Sequence, residues 1–297
     1  MKSTQYWAIE GGSYADRYEG RYRALNSDLI IFSMNKKVLS LLLISFSMIM
    51  VNAQEPTKRF NEINKEFLTP TSGKVLIAAH RGAHLDAPEN SLLGFQQTID
   101  MGIDIIELDV RCTKDGQLVV IHDKTVNRTT TGKGPVDSFT LDEIRQLRLL
   151  HKGKPTEEKI PTLKEALSLA KGKILVDLDV KSAGCIEKIM QEVKETQTQS
   201  TCFFFVGEAD HVTMLKQRDA SFRTLLRTHS EKEAGDWLAK VKTEAVHIDL
   251  SHHNADVISF IKKSGARVWI NALDEVDQKA AAGDPAAFEE VLNKGAN

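Results

Sequence analysis

The sequence predicts an α/β protein, a (β/α)8 TIM barrel with a small insertion. Short apolar runs alternate with amphipathic helical patterns from Val75 to Ile270, which is typical of a parallel sheet covered by helices. Acids and histidines stand at the carboxyl ends of successive apolar runs, where barrel enzymes keep their chemistry. Residues 54–297 also have about the length of one such domain. A doubly wound sheet is the alternative.

Residues 34–53 have the pattern of a secretory signal peptide. Lys36 and Lys37 form a basic start, Val38–Val51 is apolar, and Val51-Asn52-Ala53 is a small-residue cleavage site. A buried helix or a membrane anchor is the alternative, but the apolar run is short for a bilayer of ~30 Å. We therefore expect a secreted or periplasmic protein with no stable membrane span after cleavage.

The remaining boundaries follow from this pattern. Residues 1–33 show no sustained periodicity, so we expect translation to start at Met34 and this leader to be an upstream extension. The alternative is a cytoplasmic tail on an anchored protein. Residues 54–73 are expected to be a polar linker, and residues 74–297 the barrel, with a Gly-, Thr- and Lys-rich insertion at 123–160 over its mouth.

Each apolar run is assigned to one element. The predicted strands are Val75–Ala79, Ile105–Val110, Leu118–Ile121, Ile174–Val180, Cys202–Val206, Thr224–Leu226, Val246–Leu250 and Val268–Ile270. The predicted helices are Ser91–Met101, Leu141–Leu149, Thr162–Ala170, Ile186–Thr196, His211–Gln217, Glu231–Val241 and Asp256–Lys263. Lys114-Asp115-Gly116 is a turn signal that makes the second and third strands a hairpin.

Composition excludes some classes of protein. A net charge of −2 gives no sign of a nucleic-acid partner. Three cysteines (Cys112, Cys185 and Cys202) are too few for a disulfide framework and lack metal-ligand spacing, so we expect small buried hydrophobic side chains.

Alternating acids on a strand point to a cation. Glu107 and Asp109 share one face of their strand, because strand residues alternate sides. Two carboxylates pointing into a barrel repel each other unless they are neutralised, and Ca²⁺ or Mg²⁺ takes such oxygen ligands. In KILVDLDVK, Asp179 offers a third carboxylate and Lys181 a charge for a phosphate oxygen. Solvated strands carrying surface ion pairs are the alternative.

Two histidines complete a set of residues suited to phosphodiester cleavage. His80 ends the first strand before Arg81, whose planar fork suits phosphate. His122 ends the third strand, and hairpin symmetry places it near Asp109. Two histidines at one phosphate site can serve as general base and general acid.

These segments together resemble a known family. HRG, PENSLLGF, GIDIIELDVRCTKDGQLVVIHD, NRTTTGKG and IPTLKEAL are similar to the glycerophosphodiester phosphodiesterases, relatives of the phosphatidylinositol-cleaving phospholipases C. The resemblance implies a (β/α)8 barrel with one divalent cation, Ca²⁺ or Mg²⁺. It also implies a small-molecule substrate, a glycerophosphodiester, hydrolysed to glycerol phosphate and an alcohol.

The resemblance also implies the roles of individual residues. His80 and His122 are the acid–base pair, Arg81 holds the phosphate, and Glu107 and Asp109 bind the metal. Where the family has Glu-x-Lys, this chain has Asp179-Val180-Lys181, so the shorter acid is expected to bind metal directly or through water.

The end of the chain departs from the family pattern. Trp269 corresponds to the family's tryptophan strand and is a possible substrate contact, with ordinary core packing as the alternative. The family continues into one more strand and helix, so we expect this barrel to lack its last strand and helix through C-terminal truncation. A phospholipase acting on intact lipids and a noncatalytic phosphodiester-binding protein remain the alternative functions.

Overall fold

The computed structural model describes residues 55–273, 275–293 and 295–297. The expected leader 1–33 and signal peptide 34–53 lie outside the described residues. The strands are β1 (Ala78–His80), β2 (Ile105–Cys112), β3 (Leu118–Val120), β4 (Leu150–His151), β5 (Lys154–Pro155), β6 (Leu175–Val180), β7 (Cys202–Val206), β8 (Arg223–Arg227), β9 (Ala245–Ile248) and β10 (Arg267–Ile270).

Helices follow most of these strands. They are α1 (Lys58–Phe67), α2 (Leu92–Asp100), α3 (Leu141–Ile144), α4 (Leu163–Ala170), α5 (Ile186–Glu195), α6 (Ala209–Arg218), α7 (Glu231–Leu238), α8 (Ala255–Lys263), α9 (Glu275–Ala281) and α10 (Glu289–Leu292). None of the helices in the described part of the chain is long and apolar enough to cross a membrane. Each strand expected from the sequence has a counterpart here.

The main sheet is a path of parallel strands in the order β1-β2-β6-β7-β8-β9-β10, with β3 antiparallel on β2. This α/β arrangement with outer helices confirms the predicted fold class. Asn297 forms hydrogen bonds at both ends of this path. Its N–H donates to the carbonyl of Val268 in β10 at 3.2 Å, and its carbonyl accepts from the N–H of Leu76, just before β1, at 3.3 Å.

Alternation along the strands separates two apolar cores. Ile106, Val176 and Phe204 point outward into a large cluster that also contains the apolar faces of the outer helices. Their neighbours Ile105 and Leu175 point inward and form a smaller cluster inside the curved sheet. Inward-facing residues further along these strands therefore lie at the carboxyl end of the sheet, where the polar site is located.

Helix α1 occupies the segment expected to be a polar linker. Thr57 caps its first turn, and Phe60, Ile63 and Phe67 lie on one face at helical spacing, fully buried. The Phe67 ring stacks on Phe203 of β7, with ring centroids 4.7 Å apart. The linker therefore contains a helix that fills the inner core, because three large apolar side chains outweigh the polar composition around them.

The insertion at 123–160 has a small core of its own. Val126, Val136, Ile144, Leu149 and Ile160 are buried together against the outer end of β3. The predicted helix Leu141–Leu149 is shorter than expected, because α3 ends at Ile144 and the chain then enters the two-stranded β4–β5 hairpin.

The expectation that the cysteines are small buried hydrophobic side chains is wrong for two of them, which form a disulfide. Cys112 at the end of β2 is joined by a disulfide to Cys185, just before α5, with their Cα atoms 6.1 Å apart. Cys202 is free and buried. The bridge ties the end of β2 to the loop that follows β6, and it joins residues 73 apart in sequence.

If α1 belongs to the core, Phe67→Ala should lower the free energy of unfolding by about 3–5 kcal/mol, the usual cost of emptying a buried phenylalanine site. The neighbouring Leu68→Ala is the matched control, because Leu68 is 49% exposed. Its effect should stay within about 0.5 kcal/mol. Urea unfolding followed by tryptophan fluorescence measures both, and equal small effects would show that α1 is not part of the core.

Candidate active site

The centre of the site is set by the register of two neighbouring strands. β2 and β6 pair in parallel with Glu107 opposite Asp177 and Asp109 opposite Asp179. All four carboxylates point to the inside of the sheet, because they lie at even spacing from residues of the inner core. Asp177 is 2% exposed, and its Oδ1 has no hydrogen-bond partner among the described residues.

Three of these acids converge on one point. Carboxylate oxygens of Glu107, Asp109 and Asp179 all lie within 4.8 Å of one another. Burial raises the pKa of Glu107 well above its ordinary value, and the charges of Asp109, Asp177 and Asp179 raise it further. Burial also raises the pKa of Asp179. The cluster therefore carries more negative charge than its surroundings neutralise.

This cluster fits a hard divalent cation. Its ligand atoms are all carboxylate oxygens, which Ca²⁺ and Mg²⁺ prefer, and a bound cation would offset the burial and the mutual repulsion that raise these pKa values. Asp179 lies with the other two acids, so the shorter side chain does not remove it from the set. The structure thus brings together the three residues expected to hold the metal.

Lys181 was expected to provide a charge for a phosphate oxygen, and in the structure it also contacts the acids directly. Its Nζ is 3.0 Å from Asp109 Oδ1 and also donates a hydrogen bond to Asp179. Although burial lowers the pKa of Lys181, these two carboxylates raise it above its ordinary value, so the ammonium stays charged. Lys181 therefore bridges two of the expected metal ligands.

Arg81 takes its position from an unusual backbone conformation. Its φ is +58° and that of Gly82 is +74°, both in the left-handed region. A Cβ on Gly82 would lie 2.7 Å from the ring of Phe95, so this turn requires glycine. The turn aims the Arg81 backbone N–H at Glu107 Oε2, 2.8 Å away, and its Nε lies 3.6 Å from Asp109. Backbone and side chain of Arg81 thus both face the acids.

His80 ends β1 directly opposite Glu107 in the sheet register. Burial, followed by the positive charge of Arg81, lowers its pKa to about 4. The ring is therefore neutral at pH 7.

His122 is placed by the hairpin that the sequence predicted. Val120 pairs with Val110, and Ile121 N–H donates to the Asp109 carbonyl at 2.9 Å, so His122 comes one residue after the partner of Asp109. The guanidinium of Arg111 holds the His122 carbonyl by two hydrogen bonds of 2.9 and 2.7 Å. Contacts to β2 therefore fix the backbone of His122.

Asp123 sets the orientation of the His122 ring. Its Oδ1 lies 2.8 Å from Nδ1. The hydrogen bond from Arg128, and then that from His122, lowers the pKa of Asp123 well below its usual range, so this oxygen can only accept. Nδ1 must then carry the proton and donate, which leaves Nε2 for the site.

Sequence reasoning missed the residues that hold the acids and the arginine. Asn90 Nδ2 donates to Asp109 Oδ2 at 2.7 Å, and Arg81 Nη1 donates to Glu89 Oε1 at 2.9 Å. Burial raises the pKa of Glu89, but hydrogen bonds from Arg128 and Arg81 bring it down to about 2. Glu89 and Asn90 belong to the PENS segment used for the family resemblance, which was the available signal.

Trp269 stands in a different environment from the acids. Its ring packs edge-on against Phe203 with centroids 6.0 Å apart, and its Nε1–H donates to Asn271. These contacts belong to the inner apolar core, and its role as a substrate contact stays a prediction.

The fold and the carboxylate cluster are those of an α/β barrel protein whose polar site lies at the carboxyl ends of its strands. The model of the glycerophosphoryl diester phosphodiesterase family matches residues 80–282. The chain therefore belongs to that family, as its motifs predicted.

Individual relatives agree with this assignment. A glycerophosphodiester phosphodiesterase of Caldanaerobacter subterraneus subsp. tengcongensis is 46% identical over 130 residues, which are 41% of this chain and 54% of the relative. The matched part thus spans about half the length of that relative.

Solved structures share the fold. A glycerophosphoryl diester phosphodiesterase of Parabacteroides distasonis has a TM-score of 0.67 at 22% identity, covering 82% of this chain and 87% of that one. A phosphodiesterase of Oleispira antarctica, solved with its product sn-glycerol-3-phosphate, has a TM-score of 0.64 at 24% identity, covering 78% and 92%.

If the acids hold a cation, Ca²⁺ or Mg²⁺ at about 100 times its Kd should stabilise the fold by roughly 2.7 kcal/mol. For a domain of this size that is about 5–10 °C in Tm. The pKa of Glu107 is raised in the folded state. Ionisation of Glu107 therefore lowers the free energy of unfolding as the pH rises from the ordinary pKa towards the raised one. The gain on adding cation should therefore be large at pH 7.5 and small at pH 5.

Scanning calorimetry on the wild type and Glu107→Gln checks this prediction. The substitution should raise Tm at pH 7.5 without cation and remove most of the gain on adding it. Glu157→Gln is the control, because that side chain is 99% exposed. A gain that persists unchanged in Glu107→Gln would place the cation elsewhere.

Proposed function

We propose that this protein hydrolyses small-molecule glycerophosphodiesters to glycerol phosphate and an alcohol, using one divalent cation, Ca²⁺ or Mg²⁺. The observation that carries the proposal is the convergence of three carboxylates, Arg81 and two histidines at one end of the barrel. Membership of the family supports the reaction, and the product complex of the Oleispira phosphodiesterase supports a glycerol phosphate product.

Binding of the phosphodiester falls to the cationic side chains. Arg81 presents a guanidinium beside Asp109, and Lys181 presents an ammonium between Asp109 and Asp179. Both charges are preorganised by carboxylates, so they stabilise negative charge on the phosphoryl oxygens with little rearrangement. When it is bound by Glu107, Asp109 and Asp179, a divalent cation supplies Lewis-acid polarisation of those oxygens.

The two histidines differ in their surroundings, and this suggests different roles. His80 is neutral at pH 7, so its ring accepts the proton of the attacking hydroxyl as the phosphorus–oxygen bond to that hydroxyl forms. When it is protonated on both nitrogens, His122 keeps its Nδ1–H on Asp123 and donates the Nε2 proton to the leaving alkoxide as the other phosphorus–oxygen bond breaks. The attacking hydroxyl belongs to water or to the glycerol part of the substrate.

Export of the protein is part of the same proposal. The basic and apolar pattern of residues 34–53 is typical of a cleaved signal. The Cys112–Cys185 disulfide supports this view, since disulfides persist in oxidising compartments and are rare in the cytosol. We infer a secreted or periplasmic enzyme that acts on diesters outside the cytoplasm.

A pair of substrates separates the two histidine roles. Glycerophosphocholine has a poor leaving group that needs a proton, whereas glycerol p-nitrophenyl phosphate does not. On the first substrate, His80→Ala and His122→Ala should each lower kcat about 10²- to 10⁴-fold. On the second, His122→Ala should recover to within about 10-fold of the wild type, while His80→Ala should not.

Phosphate-ester release measured with added Ca²⁺ or Mg²⁺ and then with EDTA provides the test, and His211→Ala on α6 is the control. Recovery by His80→Ala instead would exchange the two roles. A folded, cation-loaded wild type that releases no product from any glycerophosphodiester would support the noncatalytic binding alternative.

If residues 34–53 are a signal peptide, the mature chain exported by a bacterial host should begin at Gln54. N-terminal sequencing of the periplasmic fraction measures this directly. Alkylation of the denatured chain before reduction should label only Cys202, because Cys112 and Cys185 are joined. A chain that keeps Met1 and stays with the cytoplasm, with all three thiols reactive, would contradict export.

A further inference from the structure

Arg128, in the insertion, donates hydrogen bonds from both edges of its guanidinium group. Its Nε and Nη2 donate to the two oxygens of Asp123 at 2.7 and 3.0 Å. Its Nη1 and Nη2 donate to the two oxygens of Glu89, the second at 2.8 Å. One planar side chain thus binds two carboxylates, the bidentate geometry in which arginine is strongest.

Each of these carboxylates also holds one residue of the proposed reaction. Glu89 accepts from Arg81 Nη1 at 2.9 Å, and Asp123 accepts from His122 Nδ1 at 2.8 Å. The five side chains therefore form one continuous chain of hydrogen bonds, in which positive and negative groups alternate, from the phosphate-binding arginine to the histidine.

The two ends of this chain come from separate parts of the fold. Arg81 and Glu89 belong to the loop between β1 and α2, whereas His122, Asp123 and Arg128 belong to the hairpin and the insertion. Glu89 and Arg128 are 39 residues apart in sequence. Within the described residues, side-chain hydrogen bonds link Arg81 to His122 through Glu89, Arg128 and Asp123.

We propose that Arg128 is a positioning residue, which fixes the His122 ring and the Arg81 guanidinium relative to each other by binding Asp123 and Glu89 at the same time. The proposal rests on the proposed function for its kinetic consequence. It assigns the insertion a part in catalysis.

Energetics separates this role from simple stabilisation. The Arg128 side chain is 39% exposed, and exposed ion pairs contribute little to stability. A loosened histidine, by contrast, is costly, since a misplacement of about 1 Å lowers the rate by about 10²-fold. Loss of Arg128 should therefore act on kcat far more than on Tm.

The same insertion offers a matched control. Arg145 makes a bidentate pair with Glu165, with hydrogen bonds of 2.7 and 2.9 Å and 30% exposure of its side chain, away from the histidines. Arg128→Lys and Arg145→Lys each keep the charge and remove the planar fork. Arg128→Lys weakens contacts to two carboxylates, whereas Arg145→Lys weakens contacts to one carboxylate and to the Ile160 carbonyl.

The experiment measures kcat and KM on glycerophosphocholine in the full chain with saturating cation. We expect Arg128→Lys to lower kcat about 10- to 100-fold with KM changed less than about 3-fold. Arg145→Lys should stay within about 2-fold of the wild type, and the Tm of both variants should be similar. Arg128→Ala should regain part of its kcat on addition of guanidinium chloride at nondenaturing concentration.

A spectroscopic arm makes the test independent of turnover. In the ¹⁵N-histidine-labelled chain, long-range ¹H–¹⁵N spectra should show His122 protonated at Nδ1 in the wild type and a mixture of tautomers in Arg128→Ala. If the wild type is inactive but this change occurs, the proposed function fails and the positioning role stands. An unchanged tautomer, or equal kcat for Arg128→Lys and Arg145→Lys, would overturn the proposal.

Discussion

Repulsion among buried carboxylates is the constraint on which the rest of this site depends. The parallel register of β2 and β6 places Glu107, Asp109, Asp177 and Asp179 on one inward face. Burying charge without compensation costs several kcal/mol, and burial raises the pKa of both Glu107 and Asp177. The surrounding groups act to reduce that cost, and a divalent cation bound by the acids would complete the neutralisation.

Each compensating group also has a proposed role in binding the substrate. Lys181 and the Arg81 guanidinium lie against Asp109, and both carry positive charge to the place where a phosphate would bind. The left-handed turn at Arg81 adds a backbone N–H to Glu107. The same interactions that allow the acids to be buried therefore preorganise the site for a phosphodiester.

Much of this centre was predictable from local sequence rules. Strand alternation identified Glu107 and Asp109, the repeated pattern identified Asp179, and hairpin symmetry placed His122. Helix α1 was missed although Thr57, Phe60, Ile63 and Phe67 give a helix cap and an apolar face, because the polar composition was given more weight. The disulfide and the bonds of Arg128 join residues far apart in sequence, so only the fold brings them together.

The most direct test of the account is the location of a bound cation. Crystals soaked with Mn²⁺, which accepts the same oxygen ligands as Ca²⁺ and Mg²⁺, would show it by anomalous scattering. The account predicts one strong peak about 2.0–2.6 Å from oxygens of Glu107, Asp109 and Asp179. A peak elsewhere, or no peak at these acids, would contradict it.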